Sequence, residues 1–185
     1  MQEETYSHID FTETKLTKGE YDSCTFKNCQ FNGTKLSFYS FLECEFIDCD
    51  LSGVKLDDTA FKDVRFEGCK ILGADFSNCH PFMLSISFDK CQLNLSSFYQ
   101  LKLKGTAFSD CALHEVDFTE TDLTSASFKQ SDLHLATFDR SLLVKTDFSS
   151  AFNYAINPDQ NQISKAKFGK EGVMGLLNHL DIQIV

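Results

Sequence analysis

Large apolar residues recur at every fifth position of this chain. A first run holds Phe11, Leu16, Tyr21, Phe26, Phe31, Leu36, Phe41, Phe46, Leu51, Leu56, Phe61, Phe66, Ile71 and Phe76. A second starts two residues out of phase at Phe88 and runs through Leu93, Phe98, Leu103, Phe108, Leu113, Phe118, Leu123, Phe128, Leu133, Phe138 and Leu143 to Phe148. A period of five matches neither the 3.6 of a helix nor the 2 of a strand. Each unit must therefore turn the chain by a fixed angle, and a coil of four short sides does this. Two residues before each centre the side chain is mostly small, as at Cys24, Cys29, Thr34, Cys44, Thr59, Ala74, Ser96 and Thr121. These small groups are expected to point inward beside the large ones.

In the second run Phe and Leu alternate, so Phe should line two opposite sides of the coil and Leu the other two. Phe26, Phe46, Phe66, Phe88, Phe108, Phe128 and Phe148 are the expected structural core, each burying on the order of 150 to 250 Å². All eight cysteines fall at the small inward position, Cys79 and Cys91 included. A metal cluster or disulfide framework would need CxxC-type spacing or an oxidising compartment, so the cysteines read as buried reduced thiols acting as small hydrophobes. Cys29, Cys49 and Cys69, twenty residues apart, should form a vertical ladder.

The phase slip lies near 77–87. Pro81 cannot donate a ladder hydrogen bond, which predicts a bulge or small kink there. The periodicity fades after Phe148, which divides the chain into a repeat region over 1–156 and a C-terminal module over 157–185. In the module Asn157 and Pro158 read as an N-cap and first helical residue. Val173, Leu176, Leu177 and Leu180 make one apolar stripe on a helix of roughly 170–179, despite the cost of Gly172 and Gly175. Residues 181–185 read as a terminal strand.

Units such as Ala74-Asp75-Phe76-Ser77-Asn78, Thr121-Asp122-Leu123-Thr124-Ser125 and Thr146-Asp147-Phe148-Ser149-Ser150 resemble the A(D/N)LXX consensus of the pentapeptide-repeat family over about residues 9 to 150. The resemblance implies an all-β solenoid: a right-handed quadrilateral β-helix of about seven coils, ending here in a short C-terminal helix and a terminal strand. The segments 157–163, 166–168 and 172–177 resemble the C-terminal module of the quinolone-resistance type, where it pairs two protomers. On that likeness Val173, Met174, Leu176, Leu177, Leu180, Ile182 and Ile184 are candidates for a homodimer interface, against the plainer reading of a cap over the last coil.

Charge and chemistry narrow the function. A formal charge of −10 over 185 residues argues against direct nucleic-acid binding, which needs Lys and Arg to displace counterions, and favours a basic partner. The tail is balanced, so the whole excess sits on the repeats. Nothing at the start resembles a secretory signal, and no apolar run approaches the roughly 20 residues that span a bilayer, so a cytoplasmic protein with no membrane partner is expected. No G-x-S-x-G, P-loop or H-E-x-x-H spacing occurs, and the chain reads as non-enzymatic, with no cofactor or metal. His114 and His134, twenty apart, read as a surface ladder.

Relatives with this architecture and tail bind type II topoisomerases, DNA gyrase and topoisomerase IV, at the surface that holds DNA, and protect them from quinolones or gyrase-targeting toxins. The resemblance therefore implies a DNA mimic. At roughly 4.8 Å per coil the rod is about 34 Å long and a tail-to-tail dimer about 68 Å. DNA of the latter length carries about 40 phosphate charges, twice what two copies of this chain supply, so shape must contribute. Candidate gyrase-facing acids are Asp48, Asp50, Asp63, Asp110, Glu115, Asp117, Glu120, Asp122 and Asp132. The second run lacks the long inserted loop of some such relatives. The rival reading is a scaffold or regulatory interaction module without a topoisomerase partner.

Overall fold

In the computed structural model, which describes residues 1–82, 84–180 and 182–183, the five-residue units wind into a parallel β-solenoid of about eight turns. The longest ladder joins strands Thr5–Ser7, Thr25–Lys27, Glu45–Ile47, Val64–Glu67, Ile86–Asp89 and Phe108–Ser109, each parallel to the next. A second side joins Glu20–Asp22, Ser40–Leu42 and Ala60–Lys62. The remaining sides are carried by single bridges such as Gln30↔Asp50 and Lys35↔Lys55. Strands stay short because every fifth residue turns a corner. At those corners the backbone is left-handed, at Asp48 (φ 51), Asp63 (φ 54) and Glu115 (φ 56) for example, and no β-branched side chain stands there.

The sides are named here by one of their centres: Phe26, Phe31, Leu36 and Phe41. On the Phe26 side, Tyr6, Phe26, Phe46, Phe66, Phe88, Phe108, Phe128, Phe148 and Phe168 form one stacked column. The rings follow the strand spacing, as at Phe108 and Phe128, 5.0 Å apart and nearly coplanar in tilt. In the second half a further column, Phe76, Phe98, Phe118 and Phe138, stands two sides away, with Leu between, as the alternation predicts. In the first half the second aromatic column is instead Tyr21, Phe41 and Phe61, on the adjacent side. The aromatic column therefore changes sides at the phase slip.

On the Phe26 side the slip leaves the ladder intact, while the Glu20–Asp22, Ser40–Leu42, Ala60–Lys62 sheet ends there. Val64–Glu67 pairs with Ile86–Asp89 in a register of 22 residues instead of 20, so Phe66 still stacks on Phe88. The two extra residues are looped out around Pro81 and Phe82, and the Phe82 ring is exposed. The expected bulge is there, and parallel pairing continues on both sides of it.

The cysteines are free and buried, with Cys29, Cys49 and Cys69 in the predicted ladder. They also do something a pure hydrophobe would not. Most inward thiols and hydroxyls donate to the backbone carbonyl of the coil beneath, as Cys49 Sγ to Phe26, Cys69 Sγ to Phe46, Thr59 Oγ1 to Leu36 and Ser141 Oγ to Phe118. This explains why Cys, Ser and Thr alternate at one position. Burial pushes the Cys44 thiol up to about 11 and the Cys111 thiol up to about 12. Since all eight thiols are buried out of a reagent's reach, they are expected to resist a thiol-reactive disulfide reagent at pH 8 in the folded protein and to react together in denaturant. Fast titration of any of them in the native state would contradict this packing.

The register persists beyond residue 156. Leu142 bridges Gln162, Asp147–Phe148 pairs with Lys167–Phe168, and Asn161 Nδ2 donates to Phe138 O at the usual inward position. The extra turn escapes a count of apolar centres because Asn153 and Pro158 occupy centre positions, while Tyr154, one residue off phase, is buried. The tail departs from the expected helix. Asn157 accepts from the Asp159 amide but starts only a turn, and the stretch 170–179 holds a single 3-10 turn, Val173–Leu176. Gly172 and Gly175 explain its form: a Cβ on Gly175 would lie 2.0 Å from the Tyr154 carbonyl oxygen, so glycine lets this turn lie flat on the last coil. The Ile156 amide closes the contact on Gly175 O at 3.0 Å. Ile182 and Gln183 lie in no strand, and the rest of the expected terminal strand, Asp181, Ile184 and Val185, lies outside the described residues.

Candidate acidic interaction surface

An Asp one residue before the centre has a local task. Its Oδ1 accepts the backbone N–H two residues on, as at Asp50 to Ser52, Asp117 to Thr119, Asp122 to Thr124 and Asp132 to His134. These Asx turns close each side and account for the acid in the repeat. Burial pushes the Asp50, Asp122 and Asp132 carboxyls up, but the hydrogen bonds to Ser52, Thr124 and Asn153, with neighbouring cations or His114, outweigh it and hold them below the usual range.

Four of the nine predicted acids are therefore structural, and several are paired. Asp50 meets Lys70 at 3.6 Å, Asp122 meets Lys104 at 3.3 Å and Glu120 meets Arg140 at 2.9 Å. His114 Nε2 lies 2.9 Å from Asp132, with the His134 ring 5.7 Å from that of His114, edge to face. Asp48, Asp63, Asp110 and Glu115 stand exposed at left-handed corners and make no ion pair among the described residues. The nine do not converge: they are spread over all four sides of the rod.

A denser acidic strip was present in the sequence but not grouped by it. The corner between the Phe41 and Phe26 sides carries Glu3, Ser23, Glu43 and Asp63 one above another, with Glu20, Asp22 and Glu45 beside it and Lys62 and Arg65 against its upper end. The signal that finds them is the twenty-residue register, which brings acids from five separate units to one edge of the N-terminal half. The opposite arrangement occurs on the Leu36 side, where Lys15, Lys35 and Lys55 line up over the same coils.

At the C-terminal end, Val173, Met174, Leu180 and Ile182 are exposed, while Leu176 packs on the core and Leu177 is half-buried. Ile184 lies outside the described residues. Among the described residues no group of His, Cys, Asp or Glu is placed to hold a metal ion, and no helix is long and apolar enough to cross a membrane.

Five-residue units, stacked aromatic columns and Asx-closed sides define a repeat solenoid that presents surfaces. The chain belongs to the pentapeptide-repeat family: the sequence model of the pentapeptide repeat region matches residues 19–81 and 82–148. Among solved structures it is similar to a trypsin-treated variant of QnrB1, a plasmid-mediated fluoroquinolone resistance protein, at 19% identity and a TM-score of 0.48, covering 100% of this chain and 99% of that one. It is also similar to HetL, involved in heterocyst differentiation regulation in the cyanobacterium Nostoc sp. strain PCC 7120, at 14% identity and a TM-score of 0.43, covering 90% and 86%. No curated protein matches the chain.

Proposed function

We propose that this protein is a non-catalytic, DNA-mimicking rod that docks on the DNA-holding surface of a bacterial type II topoisomerase, gyrase or topoisomerase IV, and protects it from quinolones or gyrase-targeting toxins. The observation that carries the reading is the acidic corner strip on a chain of formal charge −10. An anionic ridge on a rigid rod is steered to a basic saddle. The exposed Val173, Met174, Leu180 and Ile182 patch supplies the end through which two rods join, doubling the length.

The test is gyrase supercoiling with ciprofloxacin present, titrating the protein with and without drug. Rescue at low protein, with inhibition only at high protein, is the expected result, and Glu43→Lys with Asp63→Lys should weaken rescue at least tenfold. No effect of either kind across the range would sink the quinolone and DNA-competition reading. A scaffold without a topoisomerase partner has its own support: Asp10, Asp50, Asp75, Asp117, Asp122, Asp132 and Asp147 close turns, and the lysine column balances part of the charge. That reading would then stand.

A further inference from the structure

On the Leu36 side the backbone ladder is open between the first and second coils. Between the second and third coils the Leu36 side is fully laced: Gly33 N to Ser52 O, Lys55 N to Thr34 O, Leu36 N to Lys55 O and Phe38 N to Asp57 O, all 2.8 to 2.9 Å. One coil lower, Phe11 N reaches Gln30 O and Ser40 N reaches Gly19 O, but between them Thr12 to Lys18 form no backbone bond to the second coil among the described residues. Thr14 N turns back to Asp10 O instead.

Tyr39 is the cause. It occupies the small inward position and obeys the rule of that position, donating its Oη to Leu16 O, twenty-three residues earlier, at 2.7 Å. Thr59 makes the same bond to Leu36 O through a short side chain. A phenol reaches farther by the length of a ring, so the carbonyl it meets stands off and the first coil lifts from the second. Beneath the lifted segment lies a pocket of about 340 Å³, walled by Phe11, Leu16, Phe31 and Leu36, with Lys15 and Lys35 also lining it. Neither lysine makes an ion pair among the described residues, and the Lys35 amide lacks the ladder acceptor that its counterpart Lys55 finds in Thr34.

We propose that this pocket binds a small aromatic carboxylate or sulfonate, a ligand unrelated to the topoisomerase reading. The volume lies in the range of small-molecule sites, and the lining pairs an apolar wall with a few cationic and N–H groups, the two halves such an anion presents.

The test is a titration with 1-anilinonaphthalene-8-sulfonate, followed by fluorescence, with 2-naphthoate and uncharged 2-methylnaphthalene as competitors. One site per chain is expected, displaced by the naphthoate far better than by the hydrocarbon. Lys15→Glu with Lys35→Glu should weaken binding at least tenfold. Tyr39→Ser should abolish it by letting the first coil settle. Met174→Glu, at the far end, should leave it unchanged. Absent binding, binding that survives both the lysine and tyrosine variants, or binding lost only in Met174→Glu, would overturn the proposal.

Discussion

Phe108→Ala is expected to lower the unfolding free energy by about 3–5 kcal/mol, read as a fall in the urea midpoint with the slope unchanged. Phe108 is fully buried, stacked between Phe88 at 5.3 Å and Phe128 at 5.0 Å, with Phe98 and Phe118 edge-on at 5.7 Å. Its neighbours cannot collapse into the gap, because each is tied to its own coil by the backbone ladder. A solenoid holds each coil only through its neighbours, so the loss should depend on height in the rod. Phe11→Ala, at the lifted first coil and less completely buried, should cost distinctly less. Equal losses at both positions would show that the column does not act as a stack of nearest-neighbour contacts.

The second large effect is expected at the opposite end. Gly175→Val places a Cβ 2.0 Å from the Tyr154 carbonyl and about 3.0 Å from its ring, so the 3-10 turn must lift away. The cost should be about 1–3 kcal/mol or more, with the Ile156 amide losing its protection from hydrogen exchange because its acceptor is Gly175 O. Met174→Glu with Leu180→Glu changes exposed side chains and should leave stability and Ile156 protection intact. Sedimentation then separates the roles of this segment. A monomer from both variants fits a cap that also pairs two rods, whereas an unchanged dimer after Met174→Glu and Leu180→Glu removes the tail as an interface.

The electrostatics refine the mimicry proposal. Since Asp50, Asp117, Asp122 and Asp132 serve their own turns, replacing them mixes loss of fold with loss of binding. Glu43 and Asp63 make no ion pair among the described residues, and the corner they occupy accepts Lys as well, as Lys145 and Lys165 show. Charge reversal at those two sites therefore reports on the surface alone.

The periodicity by itself determined the solenoid, the Phe and Leu alternation of its second half, the inward cysteines and the position of the slip. It could do so because, within the regular repeats, a parallel coil of fixed turn reads the sequence in strict register and keeps each centre inside. Three features belonged to the tertiary structure. The eighth turn passes through Asn153 and Pro158, whose burial is supplied by Tyr154 and Phe168 from neighbouring positions. The tail is a 3-10 turn because Gly172 and Gly175 answer to the Tyr154 surface, a contact that local helix propensity does not contain. The acidic corner and the pocket under Thr12–Lys18 arise between coils, from residues twenty or more apart, and their chemistry exists only once stacking has brought those residues together.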